Sequence, residues 1–162
     1  MEQAIAFREK LLGAQNCQFQ ADVTADYGDS VHQFSMSCEG DSEGNLAFEI
    51  LQPESIAEIK GRISGEGGHI EFEDKSLFFP LMTDDLLTPA SAPWIFMKTL
   101  RSGYIRAAGV EDSYLRLTVD DSYADDALML DIWMESDRPA RADILQNGRR
   151  ILSLEVTSFS YT

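Results

Sequence analysis

Residues 17–27 read Cys-Gln-Phe-Gln-Ala-Asp-Val-Thr-Ala-Asp-Tyr, with apolar or small side chains at the odd positions and polar ones at the even positions. Successive side chains of a β-strand point to opposite faces of a sheet, so this alternation predicts a strand with one buried face. Residues 28–30, Gly-Asp-Ser, supply turn chemistry, and the alternation resumes at Phe34, Met36 and Cys38. The stretch therefore predicts an antiparallel hairpin and indicates a mainly β fold.

Strand patterns continue on the C-terminal side of this hairpin. They lie at 46–50, 56–63, 70–73, 77–79, 115–119, 128–134, 140–144 and 152–156. The parity of 56–63 slips, which a bulge near 57–58 would repair. Asn147-Gly148 is a strong signal for a tight hairpin turn. Short strands at this spacing predict a meandering antiparallel sheet that curls into a sandwich or barrel.

Two segments have helical rather than strand character. Residues 2–13 carry apolar side chains on one side, which predicts an N-terminal helix. Residues 89–100 predict a second helix, with Ser91 as N-cap and Pro93 in the first turn. This helix is apolar on almost every side and must be covered, so we expect it on the concave side of a curved sheet. With the apolar stretch 77–87, it could plug or line a cavity.

The two cysteines lie at the ends of the first hairpin. If Cys17 faces Cys38, then Phe19 faces Met36 and Ala21 faces Phe34, so apolar residues meet on one face. This register favours a cross-strand disulfide between Cys17 and Cys38. A register shifted by two residues would leave them diagonal neighbours, and the alternative is two buried free thiols. A disulfide would indicate folding outside the cytoplasm.

The charge of the chain restricts its partners. The formal net charge is −15, from 28 acidic and 13 basic residues. Phosphates would be repelled, which argues against nucleic acid and against steady contact with anionic lipid headgroups. The acidic surface favours solubility, and it could also attract a basic partner. No stretch has the length and apolarity of a membrane-spanning helix.

Motifs of catalysis are missing from the sequence. There is no Walker loop, dinucleotide-binding glycine turn, nucleophile elbow or His-Glu-x-x-His. His69 could join Glu71 and Glu73 on one strand face as metal ligands, but an exposed strand face is the simpler explanation, because Ile70 and Phe72 occupy the other side. The acidic segment 120–126 favours a solvated loop over a cation site. We therefore predict no catalytic residue, no metal and no cofactor, and hence a protein that is not an enzyme.

The order of these elements resembles the bacterial lipoprotein-carrier superfamily, the LolA/LolB-like half-barrels and their relatives among Gram-positive envelope lipoproteins. The similarity follows an N-terminal helix, a Phe-x-Ala-x-Val first strand and an interrupting apolar helix. Its segments are 19–23, 40–41, 44–50, 53–56, 89–100 and 139–148. The resemblance is architectural and spans nearly the whole chain, so it implies a single LolA-like domain over 1–162.

The resemblance implies a strongly curved antiparallel sheet of about ten or eleven strands, an incomplete barrel. The N-terminal helix and a helix near 91–102 would pack on its concave side. It implies a protein of the cell envelope, outside the cytoplasm, whose only membrane attachment is a lipid anchor on a precursor, absent from this chain.

The ligand implied by the resemblance is a lipid, an acyl chain or a lipidated protein. It would lie in an apolar cavity whose expected lining residues are Phe78, Phe79, Trp94, Phe96 and Met97. These five side chains would fill an ordinary closed core equally well. The alternative function is an interaction or sensing module for an envelope protein partner, as in relatives acting in sporulation and germination, without a lipid ligand.

Overall fold

The computed structural model describes residues 2–64, 67–72, 75–79, 82–83, 86–87, 89–121 and 127–161. The helices are α1 (Glu2–Gly13) and α2 (Ala92–Ser102). The strands are β1 (Asn16–Asp26), β2 (Val31–Asp41), β3 (Leu46–Gln52), β4 (Lys60–Ser64), β5 (Gly67–Phe72), β6 (Lys75–Phe79), β7 (Met82–Thr83), β8 (Leu86–Leu87), β9 (Tyr104–Glu111), β10 (Tyr114–Asp120), β11 (Met129–Glu135), β12 (Arg138–Gln146) and β13 (Arg149–Tyr161).

Eleven of these strands form one sheet in the order β6-β5-β4-β3-β2-β1-β13-β12-β11-β10-β9, and β7 pairs with β8 separately. Every pair in the large sheet is antiparallel. The chain thus builds two meanders that join where β1 meets β13. Within the described residues the sheet does not close, because β6 and β9 are its two edges. The predicted incomplete barrel is confirmed.

The turn of the first hairpin differs from the prediction. Tyr27 N–H donates to Ser30 O at 3.0 Å, so the turn is centred on Gly28 and Asp29. Gly28 has φ +93°, a left-handed conformation that favours glycine. The expected pairing of Cys17 with Cys38 would centre the turn on Tyr27 and Gly28, so the expected register is wrong by two residues.

The strand predicted over 56–63 is also shorter than expected. A 3₁₀ turn occupies Glu54–Ile56, and β4 begins only at Lys60. Ile56 N–H donates to Pro53 O at 3.1 Å, which closes this turn. The slip in parity at 56–63 comes from the turn rather than from a bulge within one strand.

The core lies between the inner face of the sheet and the two helices. β1 shows the alternation most clearly, since its odd residues from Cys17 to Ala25 are all buried. α1 contributes Ala4, Phe7 and Leu11 to the same cluster. None of the helices in the described residues has the length and apolarity needed to cross a membrane.

Candidate binding site on the inner face of the sheet

Helix α2 is buried on nearly all sides, as its composition predicts. Its buried residues are Ala92, Pro93, Trp94, Ile95, Phe96, Met97, Thr99 and Leu100. Phe96 is 0% exposed, and its ring meets Phe19 of β1 edge to face, with centroids 5.6 Å apart. The helix therefore covers the centre of the inner face.

Trp94 is held in place by a directed hydrogen bond. Its indole Nε1 donates to Gly44 O at 3.0 Å, in the turn between β2 and β3. The Lys98 ammonium lies 5.3 Å from the ring centroid, a cation–π distance. Trp94, Phe96 and Met97 thus come together in one packed cluster, where they fill space between the helix and the sheet.

The other predicted lining residues, Phe78 and Phe79, have backbones in β6, opposite His69 and Gly68. Their side chains lie outside the described part of the structure, as do those of the apolar stretch 77–87. The expectations for Glu71, Glu73 and 122–126 fall outside it as well. Among the described residues, no group of three His, Cys, Asp or Glu could hold a metal ion.

Arg8 joins the two helices. Its Nε donates to Leu100 O at 2.9 Å and its Nη2 donates to Thr99 O at 3.2 Å. These carbonyls belong to the last turn of α2, where few backbone donors are available and where a positive charge is favourable. Burial lowers the pKa of Arg8 from its ordinary value. The residues are 92 positions apart for the shorter bond, so no local sequence pattern reveals the contact.

An aromatic group packs α1 against the end of β13. The ring centroids of Phe7 and Phe159 are 6.1 Å apart, and those of Phe159 and Tyr161 are 5.4 Å apart. Tyr161 Oη donates to Asp137 O at 3.2 Å. Burial, followed by the negative charge of Asp137, raises the pKa of Tyr161 to about 12.

The cysteines do not face each other. Cys17 pairs with Gly40, and Cys38 pairs with Phe19, so the two cysteines are diagonal neighbours on the inner face. Both are buried free thiols, and the expected disulfide is not formed in this structure. The offset between the two cysteines follows from the shifted turn. The structure has the alternative arrangement, two buried free thiols.

Apolar inner surface remains uncovered near the β9 edge. Val110 pairs with Leu115, and Ala108 pairs with the buried Leu117, so these residues share the inner face. Val110 is nevertheless 81% exposed, while Ile105, Ala108 and Leu115 are partly buried against the core. We call Ile105, Ala108, Val110 and Leu115 the open strip.

The outer face has the opposite character. Trp133 lies on it between two guanidinium groups, 5.3 Å from Arg116 and 4.9 Å from Arg141. Arg116 also donates to Asp131 at 3.0 Å, and Arg141 lies 3.2 Å from Asp143. Most of these polar groups are paired with one another, and covering them with an apolar ligand would contribute no favourable binding energy.

The outer face also carries a depression bordered by polar side chains. A depression of about 510 Å³ on the outer face crosses β13, β1, β2, β3 and β4. Polar side chains border it, among them Gln18, Gln20, Ser37, Glu49 and Lys60. An apolar ligand would meet unfavourable desolvation in that depression, whereas the open strip offers apolar surface.

Comparison with solved structures identifies the fold. An uncharacterized conserved protein from Thermus thermophilus aligns over 99% of this chain and 86% of its own, with a TM-score of 0.54 and 12% identity. A LolA superfamily protein from Nitrosomonas europaea aligns over 98% of this chain and 93% of its own, with a TM-score of 0.50 and 10% identity. The chain has the LolA-like half-barrel fold.

Comparisons of the sequence, unlike those of the structure, return no similar family or protein. No protein-family model matches the chain, and a search of curated proteins returns no match. Identities of 10–12% with the structural neighbours are too low to carry over residue roles.

Proposed function

We propose that the protein is a non-enzymatic binding protein of the bacterial cell envelope that holds a lipid, an acyl chain or a lipidated protein on its inner face. The observation that carries the proposal is the open strip. It places the exposed Val110 and three partly buried apolar side chains on the same face as a continuous apolar core. In a monomer, exposed apolar surface that adjoins the core and is rimmed by polar residues is typical of a binding site.

The energy available at this face suits an acyl chain. Burial of one CH₂ group contributes roughly 0.8 kcal/mol, and full burial of a valine side chain contributes roughly 1.5–3 kcal/mol. A ligand that covers Val110 therefore gains free energy from burial of its own CH₂ groups and from burial of the Val110 side chain. Fatty acyl chains supply many such groups in a row, and they need no specific hydrogen bond from the protein.

The predicted lining residues Phe78, Phe79, Trp94, Phe96 and Met97 stay part of this proposal. Three of them are packed in the closed cluster beneath α2. We therefore place the first contact of the ligand at the open strip, with Trp94, Phe96 and Met97 deeper on the same side of the sheet. The single domain over 1–162 and the lipid anchor of a precursor also stay predictions.

Native mass spectrometry before and after organic extraction tests the proposal. We expect an extra mass that disappears on extraction, and uptake of a fluorescent fatty acid by the extracted protein. Val110→Glu should weaken uptake at least 10-fold, because a carboxylate would sit in the apolar contact. Val31→Glu is the matched control, since Val31 is 58% exposed and lies outside the open strip. A bare mass with no probe uptake, or equal uptake by both variants, would contradict the proposal.

One observation favours the alternative, an interaction module for an envelope protein. Strand β9 has no neighbour on its outer side within the described residues, and such an edge can pair with an extended segment of another chain. A partner whose binding is lost on substitution of Ala107 by proline, in a protein that takes up no fatty acid, would establish this function instead.

A further inference from the structure

Three sulfur-bearing side chains lie in the part of the core where β1, β2 and α2 pack together. Cys17 is 1% exposed, Cys38 is 3% exposed and Met97 is 4% exposed. The Cys17 thiol donates to Met97 Sδ at 3.4 Å. Cys38 follows on the neighbouring strand, diagonal to Cys17 on the same face. Nothing in the proposed function requires this arrangement.

Gly40 makes the approach of Cys17 and Met97 possible. A Cβ at this position would lie 3.2 Å from Cys17 Sγ and 3.2 Å from Met97 Cγ. Contacts of that length are tighter than nearly all real Cβ contacts. A larger residue opposite Cys17 would therefore displace the thiol, the thioether or both.

The spacing of the thiols suits a shared metal ion better than a disulfide. Diagonal neighbours in an antiparallel pair have Cα atoms roughly 7–8 Å apart. A disulfide needs Cα atoms within about 6.8 Å and sulfurs about 2.05 Å apart. Two thiolates on one metal, each at about 2.3 Å, have sulfurs up to about 4.6 Å apart. The wider span can be reached by side-chain rotation.

The contact between Cys17 and Met97 fits the same geometry. Two sulfur ligands at about 2.3 Å from a metal with three ligands in a plane are separated by about 4.0 Å. The observed separation is 3.4 Å, so the two sulfurs would move apart by about 0.6 Å to admit the ion. Cys38, the diagonal neighbour of Cys17 on the same face, would turn its thiol toward this pair to complete the site.

We propose that Cys17, Cys38 and Met97 form a binding site for Cu(I). Thiolate and thioether are soft ligands that select Cu(I). Zn(II) prefers four ligands, and within the described residues no third His, Cys, Asp or Glu joins the cysteines. Two thiols and one thioether supply the three soft ligands that the assignment requires.

The binding step balances as a proton exchange. One Cu(I) replaces the protons of two thiols, so two protons leave and no electrons are transferred. Burial raises the pKa of both thiols, most strongly that of Cys38, so both carry protons at neutral pH. The resulting site has one negative charge. The Arg101 cation offsets part of it, since its charge acts to lower the pKa of Cys17.

Competition with a chromophoric chelator tests the site. The reduced full chain is titrated without oxygen into Cu(I) bound by bicinchoninate, and the loss of colour is measured. We expect the protein to withdraw one Cu(I) with release of two protons. Withdrawal of none, release of no protons, or equal uptake of Zn(II) from a matched chelator would overturn the proposal.

Variants assign the ligands. Cys17→Ala and Cys38→Ala should each weaken binding by more than roughly 100-fold, beyond the loss caused by removing an outer-shell group. Met97→Leu nearly conserves volume and should weaken it roughly 10-fold. Met134→Leu is the control, because Met134 is equally buried but lies on β11. Binding unchanged in a cysteine variant would overturn the assignment. If those variants do not fold, Met97→Leu against Met134→Leu decides it.

Discussion

Replacement of Arg8 by methionine tests how the two helices are held together. Methionine keeps an apolar stem but removes both donors to α2. Thr99 O retains its bond from Gly103 N at 2.8 Å, whereas Leu100 O loses the bond from Arg8 Nε. An unsatisfied buried carbonyl costs about 1–3 kcal/mol, and loss of the charge at the helix end adds about 0.3–1 kcal/mol. We expect unfolding free energy to fall by about 2 kcal/mol.

Urea unfolding followed by circular dichroism measures this change, and thermal unfolding should show a decrease of roughly 4–8 °C. Arg8→Lys should recover part of the loss, because it keeps the charge. Arg101→Met is the matched control, since the exposed Arg101 Nη2 donates to Ser42 O at 3.0 Å. If Arg8→Met and Arg101→Met both change stability by less than about 0.5 kcal/mol, the role assigned to Arg8 is wrong.

Two further substitutions test packing and ionisation. Gly61→Ala should lower stability by about 1–3 kcal/mol, because the new methyl group would meet the Phe48 ring and lie 2.8 Å from His69 O. Gly109→Ala, where a methyl group meets nothing within 4 Å, should have no such effect in the same urea titration. Tyr161 has a pKa raised to about 12, so its contribution to stability is complete below its unfolded pKa near 10 and is lost as pH rises towards 12. Tyr161→Phe should flatten this alkaline loss, and an unchanged pH profile would exclude Tyr161 as its source.

Most of the sheet could be predicted because burial follows the residue period. β1 alternates buried and exposed residues over its whole length, and both helices were predicted with accurate bounds. Asn147 and Gly148 have φ of 53° and 78°, as the hairpin signal requires. β9 was not predicted, because its residues are mostly exposed and it contains Ala107, Ala108 and Gly109. An edge strand lacks the burial that creates the alternation.

The site was harder to predict than the fold. The chain composition predicted an apolar α2 over an apolar face, and Trp94, Phe96 and Met97 do meet there. The contact between Arg8 and Leu100 and the exposure of Val110 depend on how distant segments come together. The register of Cys17 and Cys38 depended on one turn, where a shift of its centre moved every pair by two residues.

The junction of β1 with β13 also has a consequence for how the chain folds. The register pairs Cys17 with Tyr161 and Ala25 with Leu152, so the two halves of the sheet are joined by its earliest and latest strands. Contacts between residues so distant in sequence slow folding. During synthesis, one edge of β1 stays unpaired until nearly the whole chain has been made. In that interval it can pair with wrong segments. We expect this interval, rather than the finished protein, to be the stage most prone to aggregation.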